Sequence, residues 1–353
     1  MADIVSVEDG WTTAKILKFF KRDLKNKQTL FNAEKRNLIP SPKRFPRGDN
    51  KIRIWHISQI PAIGEKFGFL QKPASQKILT FFTSKGGVLK TTLAYEFARI
   101  LALNGVKVII VGLDIQCSIT DIVSQEPEIE TLENIPETIG LYHFLFENAS
   151  IDEVIQQTDL PTLNFIPETP DLNALEKKLR DVKRREQVFK NKLLPSLSKY
   201  DVIIFDNSPS WNLLIENAIS IANAVVAPIG CDINSWRSLQ TNLNIFWEFY
   251  EEMNIELEHF FLVPTLLDST KLSQQIYGAY LNQFRQYTVE IAVRRSITGQ
   301  EAIAKKKSVL EYAQSSPLAL NYYMLITHIW SLILGMKESS VKVQTTEKVY
   351  EYE

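Results

Sequence analysis

Thr83-Ser84-Lys85-Gly86-Gly87-Val88-Leu89-Lys90-Thr91-Thr92 is the stretch whose reading decides the fold. It follows the apolar run at residues 78–82 and leads into Leu93-Ala94-Tyr95-Glu96-Phe97-Ala98-Arg99-Ile100-Leu101, which has a helical pattern. A strand, a glycine pair and Lys-Thr-Thr opening a helix form the layout of a phosphate-binding loop, in which backbone N–H groups and the helix N-terminus face an anion. In this reading Gly86, Gly87, Val88, Leu89, Lys90, Thr91 and Thr92 surround the phosphates. Lys90 reaches the outer phosphates and the Thr91 hydroxyl ligates Mg²⁺. Two positions depart from the pattern G-x-x-x-x-G-K-[ST], since Ser84 and Leu89 stand where glycines belong. Taken alone, the loop has a lesser alternative reading, a glycine-rich turn with two solvated lysines.

The partners that such a loop needs follow in order. A helix over 91–103 ends at Asn104-Gly105, and residues 106–111 form a nearly continuous apolar strand of the kind buried on both faces of a parallel sheet. Strand, helix, strand is a βαβ unit, whose ligands bind at the carboxyl ends of its strands. Asp114, in Gly112-Leu113-Asp114-Ile115-Gln116, therefore lies at the ligand edge. Tyr200-Asp201-Val202-Ile203-Ile204-Phe205-Asp206 is a second buried strand ending in a carboxylate, the Walker B pattern, and Asp206 at its tip suits Mg²⁺ held through water. Two more apolar strands close at Pro228 and near Pro264. Between these landmarks the sequence predicts an acidic surface excursion at 126–137, a helical pattern over 140–155, a strand at 163–167 and a long charged helix over 171–194.

The arrangement Lys-Gly-Gly-x-x-Lys-Thr-Thr, with Lys85 five residues before Lys90, resembles the deviant Walker A loop of the ParA/MinD superfamily. The likeness runs over residues 77–335 and includes the ParA-like C-terminal stretch at 297–325. It implies an α/β fold, a parallel-sheet P-loop NTPase with ATP and Mg²⁺ as cofactors. It also implies a homodimer in which Lys85 reaches the partner subunit's nucleotide, Lys90 binds phosphate, Thr91 and Asp206 manage the metal, and Asp114 orients the attacking water. The superfamily usually has Asp-x-Asp-Pro-Gln around Asp114; here Gly112 replaces the first aspartate and Ile115 the proline. After Asp206 the chain reads Asn207-Ser208-Pro209, where the superfamily has Thr-Pro-Pro or Ala-Pro-Pro.

A formal net charge of -1 conceals a division: residues 1–77 hold 16 Lys and Arg against 7 Asp and Glu, and the rest of the chain 24 against 34. A basic segment on an acidic body predicts an anionic partner for the N-terminal part. Helical patterns over 12–20 and 28–36 precede a basic, turn-rich excursion around Lys43, Arg44 and Arg47, and an alternating stretch, Lys51-Ile52-Arg53-Ile54-Trp55. Residues 29–63 resemble a MerR-like winged helix-turn-helix. That resemblance makes Lys27, Gln28, Asn32, Lys35 and Arg36 groove or phosphate contacts and Lys43, Arg44 and Arg47 the wing. The alternative is a solvated basic helical cap. The expected organisation is a small DNA-binding domain over 1–73, an ATPase domain over 74–336, with a linker at 71–77, and a disordered polar tail at 337–353.

Cys117 and Cys231 lie far apart without C-x-x-C spacing, so neither a zinc site nor a disulfide framework is expected. No secretory signal is read at the start, and the apolar closing stretch 318–334 carries Asn321, Thr327, His328 and Ser331, which predicts a buried helix rather than a membrane span. Together these readings predict a cytoplasmic, nucleoid-associated partition ATPase. It binds DNA at an operator and non-specifically, has no membrane partner and is stimulated by a centromere-binding ParB-like protein. The competing reading is a DNA-binding repressor whose ATPase body is degenerate. Leu89 separates the two: a positive φ there costs a side-chain-bearing residue roughly 1–2 kcal/mol, which a negative φ would avoid. ATP binding is expected to survive, with slow hydrolysis.

Overall fold

A computed structural model of the chain describes residues 10–21, 24–47, 50–124 and 138–336. The acidic excursion and the polar tail expected from the sequence lie outside the described residues. Ten strands are described: β1 Trp11–Thr12, β2 Lys43–Arg47, β3 Asn50–Trp55, β4 Lys77–Phe81, β5 Val108–Leu113, β6 Gln156–Gln157, β7 Leu163–Ile166, β8 Val202–Asn207, β9 Ala224–Gly230 and β10 His259–Thr265. The first three form an antiparallel sheet in the order β1-β3-β2, and the others a seven-stranded sheet in the order β10-β9-β4-β8-β5-β7-β6. Only the short edge strand β6 runs antiparallel in the large sheet.

Continuous apolar strands are needed because both faces of this sheet are covered. Successive side chains point to opposite faces. Leu79, Phe81, Val108, Ile110, Val202 and Ile204 therefore enter one core, and Ile78, Ile109, Val111, Ile203 and Phe205 the other. The helix Lys90–Leu103 is buried almost all round, between the first of these faces and the helix Pro317–Ile333. Each fully buried Leu, Ile or Phe contributes roughly 1.5–3 kcal/mol of transfer free energy, so this helix is among the most strongly anchored elements. Among the described residues no helix is long and apolar enough to cross a membrane.

The expected long helix over 171–194 is not a single element. Leu172–Arg180 is helical, Arg184 turns left-handed with φ 53°, and Arg185–Gln187, Phe189–Leu193 and Leu194–Ser196 follow as short helical pieces of different pitch. The apolar stripe of Leu172, Leu175 and Leu179 gives way at the exposed run Lys183-Arg184-Arg185 and resumes past the break at buried Val188, Phe189 and Leu193. Beyond it, Asn217 accepts the Phe189 N–H at 3.0 Å and donates to the Arg185 carbonyl at 2.8 Å, so backbone groups bond across to a side chain. The helical pattern at 140–155 is likewise divided, into Leu141–Phe146 and Ile151–Val154, with Asn148 at φ 60° between them.

The N-terminal elements are the helices Thr13–Phe19, Lys27–Lys35 and Ile60–Phe67 with the hairpin of β2 and β3. Their core is continuous with that of the large sheet: Trp11, Ile16, Phe20, Leu30, Trp55 and Ile63 share a cluster with Leu93, Phe97 and Leu101. Asn104, which ends the helix after the phosphate loop, accepts the N–H groups of Phe69 and Leu70 at 2.7 and 3.2 Å. Trp330 Nε1 donates to the Gln71 carbonyl at 2.9 Å, so even the polar stretch read as a linker is fastened.

Candidate functional site

Register places the candidate residues at one level. Phe81, the last residue of β4, is the Cα partner of Asp206 in β8, and Asp206 is in turn the partner of Gly112 in β5. Strand β8 inserts between β4 and β5, so the loop after β4, the tip of β8 and the turn after β5 open on the same edge of the sheet. Asn207 Nδ2 donates to the Phe81 carbonyl at 2.9 Å and pins β8 to the strand that feeds the loop.

The loop has the shape of an anion cradle, with Gly86 and Gly87 exposed and Gly87 at φ 74°. Leu89 adopts the left-handed conformation, φ 66° and ψ 27°, and its carbonyl accepts the Leu93 N–H at 2.9 Å to start the helix Lys90–Leu103. The leucine thus takes the backbone geometry of the glycine it replaces, and its side chain packs, partly buried, against the main core. Val88 is buried, and its carbonyl accepts the Thr265 hydroxyl from the end of β10 at 3.1 Å, which braces the loop from below. Lys90 is buried at the helix N-terminus; Thr91 and Thr92 are half-buried in its first turn.

Asp206 is fully buried and neither carboxyl oxygen accepts a well-formed hydrogen bond. Burial pushes its pKa up to about 6, against the downward pull of the Lys90 ammonium and the Thr91 hydroxyl. A buried carboxyl with two unpartnered oxygens beside a threonine hydroxyl is a donor set that fits Mg²⁺, which takes oxygen ligands and keeps part of its water. Asp114 is 7% exposed, and its Oδ1 accepts the Gln116 N–H at 3.0 Å.

Sequence reading missed two residues of this neighbourhood. Glu168, just beyond β7, is 3% exposed and accepts the N–H groups of Asp114, Ile119 and Thr120 at 3.2, 3.1 and 3.3 Å. Burial, with the Asp206 charge nearby, raises its pKa to about 8. The available signal was indirect: a glycine, Gly112, inside an otherwise bulky apolar strand. The second residue is Asp232, which caps the helix Ile233–Glu252 and receives the Lys85 ammonium at 2.7 and 2.9 Å. Lys85 also donates to Ser235 Oγ at 2.8 Å. Burial opposes it, but the hydrogen bonds from Lys85 and Ser235 hold the Asp232 carboxyl down at about 2.

The N-terminal candidates gather on the helix Lys27–Lys35 and the adjoining hairpin. Lys27, Gln28, Asn32, Lys35, Arg36, Lys43, Arg44 and Arg47 are all exposed. Gln28 donates to Asn32 at 2.9 Å within the helix. Buried Glu34 joins helix to hairpin, accepting Arg44 at 2.8 Å and Arg53 at 2.9 Å, while the Arg53 guanidinium stacks 3.8 Å from the Phe31 ring centroid.

A family profile described as an AAA domain matches residues 76–259, more than half of the chain. The cell division protein PomZ of Myxococcus xanthus (strain DK1622) is 28% identical over 296 residues, covering 82% of this chain and 88% of PomZ. The chromosome partitioning protein ParA of the same organism is 28% identical over 250 residues, covering 70% of this chain and 86% of that protein. A crystal structure of a putative plasmid partition protein from Borrelia burgdorferi B31 bound to AMPPNP shares the fold, with a TM-score of 0.60 at 23% identity over 73% of this chain and 99% of that one. The chain is thus similar to partition proteins over most of its length, and it belongs to the AAA-domain family.

Proposed function

We propose that this protein is a DNA-partition ATPase that binds ATP with Mg²⁺, closes into a homodimer, binds DNA and hydrolyses ATP under stimulation by a centromere-binding, ParB-like partner. The observation that carries the reading is the convergence of Lys90, Thr91 and Asp114 around Asp206, at the sheet edge where β4, β8 and β5 end side by side. Phosphoryl transfer is mainly a matter of positioning and charge, and these are the groups it needs. Lys90 and the loop amides would hold the β- and γ-phosphates, and Thr91 and Asp206 would hold Mg²⁺, which when bound supplies positive charge to the phosphate oxygens. Asp114 orients the attacking water. Lys85 leaves Asp232 to reach the nucleotide of the second subunit. Nucleotide thereby controls dimer formation.

DNA is assigned to the N-terminal unit as a winged helix-turn-helix, with the helix Lys27–Lys35 in the major groove and β2 and β3 as the wing. Lys27, Gln28, Asn32, Lys35, Arg36, Lys43 and Arg47 contact groove or phosphate, and Arg44 is the wing residue tied to Glu34. The same unit would repress the protein's own operon, while the dimer coats DNA without sequence preference in a cytoplasmic, nucleoid-associated protein.

Turnover of radiolabelled ATP, with and without DNA, tests the reading. Lys90→Ala should abolish nucleotide binding. Asp114→Ala should keep binding and lower turnover at least about 100-fold, the scale expected when the water-positioning group is lost. Wild-type protein that neither binds nor turns over ATP at millimolar Mg²⁺ would instead favour the second reading, a DNA-binding repressor with a degenerate ATPase body. The left-handed Leu89 is the observation on that side.

A further inference from the structure

Gly112 and Glu168 fill one another's space. A Cβ built on Gly112 would lie 2.2 Å from Glu168 Cγ and 2.7 Å from its Cδ, so no side chain fits at 112 while Glu168 keeps its place. Gly112 is the last residue but one of β5, two before Asp114, and Glu168 follows the end of β7, the strand beside β5. The carboxyl group entering this gap fastens both ends of the turn that carries Asp114. One oxygen accepts the Asp114 N–H at 3.2 Å; the other accepts Ile119 and Thr120 N–H at 3.1 and 3.3 Å. The contact is reciprocal, since the Glu168 N–H donates to Thr120 Oγ1 at 2.8 Å.

Within the turn, local bonds alone are few: Gln116 N–H to Asp114 Oδ1 and Cys117 N–H to the Asp114 carbonyl, both at 3.0 Å, around a left-handed Cys117 at φ 55°. These bonds shape the turn without tying it to the sheet. Glu168 supplies the cross-strand tie.

We infer that Glu168 is a positioning residue for Asp114, a carboxyl group reaching in from β7 to hold the water-orienting turn, and that Gly112 is the gap that admits it. This rests on the ATPase reading above for its catalytic consequence and on the hydrogen bonds alone for its structural one. Glu168 touches neither nucleotide nor metal in this role. Its loss therefore moves the turn while the phosphate loop keeps its shape, and displacement of a catalytic group by about 1 Å is enough to cost on the order of 100-fold in rate.

The test uses the full chain and two readouts. In steady-state ATPase assays Glu168→Ala should lower kcat at least 10-fold with KM for ATP within about threefold of wild type, and Glu168→Gln, which keeps one acceptor oxygen, should fall between. In hydrogen exchange without nucleotide, Glu168→Ala should lose protection at the amides of Asp114, Ile119 and Thr120 and keep it in the helix Lys90–Leu103. Gly112→Ala should lower Tm in the wild-type background by several degrees and by clearly less in Glu168→Ala, where only the contact with Ile119 Cγ2 at 2.8 Å remains. Unchanged exchange at those three amides, or an additive Gly112→Ala effect, overturns the proposal. So does a parallel loss of kcat and ATP affinity. If wild-type protein hydrolyses no ATP, the partition-ATPase reading fails, and exchange with the double-mutant cycle still decides the role of Glu168.

Discussion

The Lys85 ammonium lies 2.7 Å from Asp232 Oδ1 of its own chain, 147 residues away in sequence, with Ser235 Oγ completing the contact at 2.8 Å. A lysine held this way is not free to serve a second subunit, so closing the proposed dimer would have to break the pair. Asp232→Asn keeps the helix cap, because an asparagine oxygen also accepts the Asn234 and Ser235 N–H groups. It removes the charge that holds Lys85. The expected result is dimer formation at several-fold lower ATP concentration by analytical ultracentrifugation. The sign of the pH effect follows from the depressed Asp232 pKa: the pair is intact above the ordinary carboxyl value, near 3.8, and weakens as pH falls toward about 2.

Leu89 already has the backbone conformation that a glycine would take. Leu89→Gly should therefore relieve roughly 1–2 kcal/mol of left-handed strain and lose a comparable packing contribution from a half-buried leucine. The expected net change in unfolding free energy is within about 1 kcal/mol. Leu89→Ala keeps the strain and loses the packing, so it should destabilise by about 1–2 kcal/mol. Calorimetric ATP affinity should change less than about tenfold in either variant, because the loop amides do not move. Affinity appearing only in Leu89→Gly would show that the leucine blocks the loop.

Glu96 gives the chain a stability that falls with pH. It is fully buried on the helix after the phosphate loop, with Oε1 accepting the Val309 N–H at 2.8 Å and Oε2 without a partner. Burial raises its pKa from 4.5 to about 8, and the Glu311 charge adds to the rise. Between those two values the folded chain keeps a proton that the unfolded chain has lost, so this group's contribution to stability declines as pH rises. Glu96→Gln should flatten the dependence of Tm on pH over that window and be the more stable protein at its upper end, by at least about 1 kcal/mol. An unchanged slope in a pH series of thermal melts would refute this.

For the N-terminal unit the expected signature is ionic. Lys35→Ala and Arg47→Ala should each reduce the slope of log K against log salt for duplex DNA by about one, with affinity lowered across unrelated sequences if the contact is to phosphate. Glu34→Ala, which releases Arg44 and Arg53 together, should instead reduce discrimination between sequences while sparing non-specific affinity. Fluorescence anisotropy over a salt series measures both.

Much of the placement of the candidate nucleotide site was legible because its residues sit where regular patterns end. Lys90 and Thr91 open a helix after a glycine pair, and Asp114 and Asp206 close or follow buried apolar strands, so periodicity alone put them at one edge of a parallel sheet. The long helix over 171–194 was misread for a related reason: buried apolar residues return at Phe189 and Leu193, but the exposed run Lys183-Arg184-Arg185 comes between, and there the chain turns left-handed at Arg184.

The succession of loop, carboxylates and buried parallel strands along the chain follows from the sequence alone, because βαβ connectivity and two-sided burial leave few ways to arrange such segments. Three things came only from the tertiary structure: the left-handed Leu89, the pairing of Lys85 with Asp232, and the Glu168 carboxyl in the gap above Gly112. Each depends on atoms from strands or helices distant in sequence meeting within hydrogen-bond or van der Waals distance. No local pattern encodes that meeting, since it is the packing of the whole sheet that decides which side chain fills a missing one.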